Sequence, residues 1–247
     1  IISCLSYFLH YKFIVKSKIM SKNIYLKSFL SLFFLLNSLN FLYSNPINAW
    51  ENAAPSVVSV LPTWPGFKKP GFGAPPGTAP EGTGIVISSS GHILTASHVV
   101  KRAKLIEIRD INGNKFDASL VFNDQNTDLA IIKADINLLP IKISRKVPKI
   151  ASSSCLISNS FGLDLGITCG VVSAIGRKNT GFNKIENFIQ TDAAANPGSS
   201  GGALVNEKGE LIGMMSGIFT KNTDTNSGVN FAVSSELILE IIQLEIN

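Results

Sequence analysis

Leu105-Ile-Glu-Ile-Arg-Asp-Ile-Asn112-Gly113-Asn-Lys115-Phe-Asp-Ala-Ser-Leu-Val121 decides how this chain folds. Apolar and polar residues alternate on both sides of Asn112-Gly113, which is the period of a strand with one buried face. Asn-Gly readily adopts the left-handed backbone that closes a tight hairpin. The same pattern extends in both directions. Roughly twelve short β-branched or alternating runs lie between Val57 and Val233. Turn signals separate them at Ser90-Gly91, Asn206-Glu-Lys-Gly209 and Asn226-Ser-Gly228. So many short strands predict an all-β barrel or sandwich.

Two segments depart from the strand pattern. Pro62 to Gly82 holds six prolines and five glycines. It has too little apolar content to pack, which predicts a mobile surface loop over 62–82. At the other end, Leu237, Ile238, Ile241, Ile242 and Leu244 follow Ser-Ser-Glu236 at helical spacing. This predicts a short C-terminal helix with a serine cap.

The formal charge of +5 is unevenly placed. Residues 1–49 carry Lys12, Lys16, Lys18, Lys22 and Lys27 and no acid, leaving equal numbers of bases and acids in residues 50–247. That balance gives no basic face for a nucleic-acid partner. Met20 is the first methionine, and residues 1–19 are expected to be an upstream extension. Lys22 and Lys27 precede a mostly apolar run from Phe29 to Leu42, with small residues at Ser44 and Ala49. Residues 20–49 therefore read as a secretory signal, expected to export the 50–247 domain. An uncleaved leader, anchoring the protein to a membrane through residues 29–42, is the alternative. The run is short for a span, which takes about 20 apolar residues.

Cys4 lies in the leader, which leaves Cys155 and Cys169, each seven residues from Gly162. If their flanking runs pair as antiparallel strands, the two face each other as a disulfide. Two free thiols packed in a barrel wall fit equally well. With two histidines and two cysteines in residues 50–247, these spacings make no metal ligand set, and no cofactor is implied.

The chemistry-bearing residues lie at strand ends. Gly198-Ser199-Ser200-Gly201-Gly202 offers a serine on a sharply turning backbone. The N–H groups of Gly198 and Ser200 are candidates to stabilise an oxyanion. Serine is a weak nucleophile without a neighbouring base, and alone the run is equally a tight turn. His98 follows Ile93-Leu94-Thr95-Ala96 and is a candidate general base near neutral pH. His92, after Gly91, is expected to face solvent. Asp128 precedes Leu129-Ala130-Ile131-Ile132 and is a candidate to orient the imidazole, although spacing alone does not separate it from Asp124. The order His, Asp, Ser is that of the chymotrypsin-type barrels.

Four motifs carry a resemblance. Thr95-Ala-Ser-His98-Val-Val, Asn126-Thr-Asp128-Leu-Ala, Asn159-Ser-Phe-Gly-Leu163 and Gln190-Thr-Asp-Ala-Ala-Ala-Asn-Pro-Gly-Ser-Ser200-Gly-Gly-Ala-Leu204 together resemble the HtrA, or Deg, family of trypsin-like serine proteases, from about Val57 to Val233. The resemblance implies two six-stranded antiparallel β-barrels with an active site between them. It also implies His98 as base, Asp128 rather than Asp124 as its partner, and Ser200 as nucleophile. Ser160 stands where the family commonly has Pro, which is expected to loosen that turn. Ser199 stands where Asn is usual. The PDZ domains common in the family are not seen after the C-terminal helix, and either a truncated sequence or a stand-alone protease domain is expected.

In this fold the primary pocket is walled by the segment before the nucleophile, here Ala194 and Ala195, and by Ser216, Gly217 and Ile218. The alanines carry no charge, so cleavage after a small or medium aliphatic residue is expected. Protein quality control in the periplasm, on unfolded proteins or peptides, is the implied function, with a homotrimer built around Trp50–Val60. A chaperone-like protein that holds unfolded segments by strand addition is the alternative. A third is a protease whose active-site loops order only on assembly or substrate binding.

Overall fold

The computed structural model describes residues 46–67, 81–218 and 227–245, with 218 and 245 by backbone alone. The upstream extension, the leader as far as residue 45 with its anchor alternative, and residues 68–80 of the Pro/Gly-rich loop lie outside the described residues. Among the described residues no helix is long and apolar enough to cross a membrane.

Twelve strands build two closed antiparallel barrels of six. The first barrel comprises β1 (Val57–Thr63), β2 (Gly82–Val86), β3 (His92–Ala96), β4 (Leu105–Arg109), β5 (Lys115–Asp124) and β6 (Leu129–Ala134). Around it the order is β1-β2-β3-β6-β5-β4. The second comprises β7 (Ser153–Ser158), β8 (Gly166–Arg177), β9 (Phe188–Thr191), β10 (Ala203–Val205), β11 (Leu211–Ile218) and β12 (Asn230–Ser234), in the order β10-β11-β12-β9-β8-β7. Closure pairs every strand on both sides, so neither barrel presents an open edge. Three α-helices, α1 (Pro46–Ala53), α2 (Ser97–Val100) and α3 (Ser235–Glu245), and two short 3-10 helices, Ala54–Ser56 and Ser160–Gly162, complete the described fold.

The Asn112-Gly113 hairpin is present, with Arg109 opposite Lys115. Gly113 takes φ 86°, and Asp110 braces the turn by accepting the N–H groups of Asn112 and Asn114. β5 runs three residues beyond the expected Val121, with a bulge between Leu120 and Phe122 that bends it around the barrel.

Ile85, Ile93, Leu94, Ile108, Leu129, Ile131 and Ile132 are fully buried in the first barrel. Leu156, Ile157, Phe188, Leu204 and Leu211 are fully buried in the second. Each such side chain contributes about 1.5–3 kcal/mol relative to exposure.

Cys155 and Cys169 are directly opposed in β7 and β8, and their sulfurs are bonded at 2.10 Å. Of the two arrangements left open by the sequence, the structure has the disulfide. Cross-linking residues 14 apart restricts the unfolded chain, an effect of about 3 kcal/mol. Helix α1 takes in the last four residues of the expected leader, 46–49, and buries Ala49. At the C-terminus, the Leu237 N–H donates to the Ser234 hydroxyl at 3.3 Å, capping α3.

Candidate active site

The first barrel brings two side chains together through strand register. Ala96, the last residue of β3, pairs with Leu129, the first of β6. His98 in α2 and Asp128 just before β6 are therefore neighbours. The Ser97 N–H donates to the Asp128 carbonyl at 3.0 Å and the His98 N–H to its Oδ1 at 3.0 Å. Asp128 adopts φ 62°, a left-handed backbone that costs about 1–3 kcal/mol. That conformation turns its buried carboxylate onto the imidazole. His98 Nδ1 lies 3.0 Å from Oδ1 and 2.9 Å from Oδ2. Because an ionised carboxylate only accepts, the proton sits on Nδ1 and Nε2 is free to accept.

The second barrel supplies the third side chain on a loop. Ser200 Oγ lies 2.9 Å from His98 Nε2. Its loop turns through two left-handed glycines, Gly198 at φ 94° and Gly201 at φ 83°. A Cβ at Gly198 would stand 2.2 Å from the Asn159 carbonyl, and one at Gly201 would stand 2.0 Å from the Thr83 carbonyl, so neither position has room for a side chain.

The first barrel reaches across to hold this loop. The Thr83 N–H donates to the Ser200 carbonyl at 2.8 Å and the Thr83 hydroxyl to the Gly198 carbonyl at 2.8 Å. Pro197 O accepts the Phe161 N–H at 2.7 Å. The N–H groups of Gly198 and Ser200 have no acceptor among the described residues.

Ser199 is buried and faces away from His98. Its hydroxyl lies 2.9 Å from the Ser160 hydroxyl and 3.0 Å from that of Ser158, and accepts the Asn196 N–H at 3.1 Å. The two departures from the family pattern thus meet. Ser160 was expected to loosen its turn, yet its hydroxyl ties that turn to Ser199.

Asp124 is not at the site. It closes its own turn, accepting from Asn126 and Thr127. Burial acts to raise its pKa, but those hydrogen bonds outweigh it and hold the carboxyl below its ordinary value. His92 does not simply face solvent. It opens β3 half-buried, with Nδ1 2.8 Å from the Ser88 hydroxyl. Burial, then Lys133, lower its pKa.

The residues expected to wall a pocket divide. Ala195 is wholly buried in the second barrel's core, whereas Ala194 is exposed and its carbonyl accepts the Thr168 hydroxyl at 2.7 Å. Ser216 is turned inward, and its hydroxyl donates to Asp128 Oδ2 at 2.6 Å. A bulge between Met215 and Gly217 resets the side-chain alternation there, which sequence spacing does not reveal. Gly217 stands against the Phe182 ring, and the side chain of Ile218 lies outside the described residues. Asp192 points away to β8, accepting the Val171 N–H at 2.7 Å.

Sequence reasoning missed Asn230, wholly buried, whose amide donates to the carbonyls of Ala193 at 2.9 Å and Thr191 at 3.3 Å ahead of the Ser200 loop. It also missed Thr83, whose only sequence signal was its place between Gly82 and Gly84. Among the described residues no group of three or more His, Cys, Asp or Glu side chains is placed to hold a metal ion.

The trypsin-like peptidase domain family matches residues 82–214. The periplasmic serine endoprotease DegP of Salmonella typhimurium is 40% identical over 161 residues, 64% of this chain and 34% of that protein. A probable DegP-like endoprotease of Buchnera aphidicola is 42% identical over the same length. The chain therefore spans about one third of the length of these curated relatives. Among solved structures, the HtrA-type protease AlgW with a decapeptide superposes with a TM-score of 0.71 at 37% identity, over 82% of this chain and 67% of that one. The serine endoprotease of Yersinia pestis superposes with a TM-score of 0.68 at 34% identity, over 83% and 68%. With this likeness, the paired barrels and the His98–Asp128–Ser200 arrangement between them, the chain belongs to the trypsin-like peptidase family, as a protease domain of the HtrA type.

Proposed function

We propose that this domain is a serine endopeptidase that cleaves unfolded or damaged proteins, with Ser200 as nucleophile, His98 as general base and Asp128 as its orienting partner. The observation that carries this reading is the continuous hydrogen-bonded line from Ser200 Oγ through His98 to Asp128, at 2.9 Å and 2.9 Å. His98 Nε2 takes the Ser200 proton as Oγ bonds to the substrate carbonyl carbon. The oxyanion that forms is stabilised by the N–H groups of Gly198 and Ser200. Asp128 stabilises the imidazolium, which then protonates the departing amine. Water, activated by the same imidazole, hydrolyses the acyl-enzyme.

A small or medium aliphatic residue is proposed before the cut. Support comes from the uncharged Ala193–Ala195 segment and from Asp192, which is committed to β8. Export to the periplasm is proposed from the leader and from the periplasmic DegP and DegQ relatives. A homotrimer through Trp50–Val60 would use Trp50, Glu51, Asn52 and Pro55, the residues of that stretch that reach the surface.

Digestion of unfolded casein by the wild-type chain, and its loss in Ser200→Ala, is the expected result. If neither protein digests casein while both suppress aggregation of an unfolding client, the domain is a binding protein and the proposal fails.

A further inference from the structure

Glu81, just before β2, is a buried carboxylate outside the proposed catalytic relay. Its Oε2 accepts the side-chain N–H of Asn159 at 2.5 Å, which joins the first barrel to the end of β7 in the second. Asn159 is wholly buried. The turn it begins, Asn159 to Gly162, packs directly on the carboxylate: a Cβ at Gly162 would stand 3.2 Å from it. From β4, Arg109 Nη2 approaches Glu81 at 3.7 Å and Asp164, beyond the turn, at 2.5 Å. Arg109 and Glu81 thus grip that turn from two sides.

The turn in its own right holds the peptide plane that aims Gly198. Phe161 donates to the Pro197 carbonyl, and the N–H of Asn159 donates to the Thr83 hydroxyl at 2.9 Å, which in turn donates to the Gly198 carbonyl at 2.8 Å. In a trans peptide the carbonyl and the following N–H point to opposite sides. Fixing Pro197 O on Phe161 therefore fixes the direction of the Gly198 N–H. The network is also a costly way merely to bolt two barrels together. Arg109 Nε and Asn159 Oδ1 are buried with no partner among the described residues, and apolar side chains of similar volume commonly stabilise as well as or better than buried ion pairs.

We propose that Glu81, held by Arg109, is a positioning residue for peptide hydrolysis: through Asn159 it sets the turn that orients the Gly198 N–H toward the oxyanion. This rests on the assignment of Ser200 and its oxyanion donors above. The test compares wild type, Glu81→Leu and Glu81→Gln in the full chain. It measures kcat and KM for a peptide substrate, affinity for a peptide boronic acid, whose adduct on serine places an oxygen at the oxyanion position, and the thermal midpoint.

Loss of one oxyanion donor typically costs about 100–1,000-fold in kcat. A misaimed donor in Glu81→Leu is therefore expected to cost roughly 10–100-fold, with KM within about twofold of wild type and boronate affinity falling in step with kcat. Glu81→Gln keeps an acceptor for Asn159 and is expected within about fivefold of wild-type kcat. If kcat stays within about twofold of wild type in both variants while only the midpoint falls, the network is structural and the proposal is overturned. A change confined to KM overturns it as well. Should Glu81→Leu fail to fold, Arg109→Met takes its place with the same roughly 10–100-fold loss of kcat expected, and wild-type kcat in its folded fraction overturns the proposal. Wild type that hydrolyses no peptide removes the underlying assignment, whereas active wild type with unaffected variants removes this inference alone.

Discussion

The two barrels share strand number, closure and antiparallel pairing, yet they hold their parts of the site by different means. In the first, His98 and Asp128 are set by the β3–β6 ladder, with backbone hydrogen bonds from Ser97 and His98 fixing Asp128. In the second, Ser200 sits on a loop bent by Gly198 and Gly201. That loop is fastened partly by backbone bonds, from the Thr83 N–H to the Ser200 carbonyl and from the Gly201 N–H to the Met215 carbonyl, and partly by side chains, namely the Thr83 hydroxyl from the other barrel and the Ser158, Ser160 and Ser199 hydroxyls. A ladder is maintained by many cooperative bonds, whereas an irregular loop held by scattered bonds is more easily shifted when one of its side-chain tethers is removed. The base half is therefore preorganised, and the nucleophile half depends on contacts between barrels.

The largest expected effect tests the base half. Asp128→Asn keeps the shape but removes the carboxylate that fixes the Nδ1 proton. Replacing the triad carboxylate in this way is expected to lower kcat about 10⁴-fold, with the melting temperature little changed. A small kcat loss with a large stability loss would mean that the ladder, and not the charge, is what Asp128 serves.

Thr83→Val comes next, because it removes the side-chain tether between barrels while leaving the Thr83 N–H on the Ser200 carbonyl. It leaves the Gly198 carbonyl and the Asn159 N–H without a partner, at about 1–3 kcal/mol. Peptide hydrolysis is expected to fall roughly 10–100-fold, since the donor loop loses a fixed point. Unchanged kcat would erase the distinction between the two halves.

The smallest effect lies at the edge of the second barrel. Glu186 accepts hydrogen bonds from the Thr180 N–H and hydroxyl and from the Phe182 and Asn183 N–H groups. Burial acts to raise its pKa, but these bonds outweigh burial and hold the carboxyl below its ordinary value. A carboxyl lowered on folding stabilises above its unfolded pKa, about 4.3. That contribution is lost as pH falls through the lowered value. Glu186→Gln is expected to lower the melting temperature by roughly 2–8 °C at pH 7 and to flatten its fall below about pH 4.3. An unaltered pH profile of the melting temperature would place the stabilising charge elsewhere.

Strands and turns were legible because alternation and Asn-Gly chemistry are local, and the hairpin at Asn112-Gly113 formed as read. The proximity of His98, Asp128 and Ser200 was anticipated by the four motifs together and by none alone. The disulfide stayed open because it depends on the β7–β8 register, and the turn of the Ser216 hydroxyl onto Asp128 was not legible because a bulge between Met215 and Gly217 interrupts the alternation there. Thr83, Glu81 and Arg109 were invisible. Each acts on residues far away in sequence and on the other barrel, and no periodicity records such a contact.

Ser200 as the activated nucleophile is tested most directly by reacting the full chain with a fluorophosphonate and mapping the adduct by mass spectrometry. A single adduct on Ser200 is predicted, formed in Ser199→Ala and absent in Ser200→Ala. An adduct on Ser199, or none on the folded wild-type chain, would contradict it.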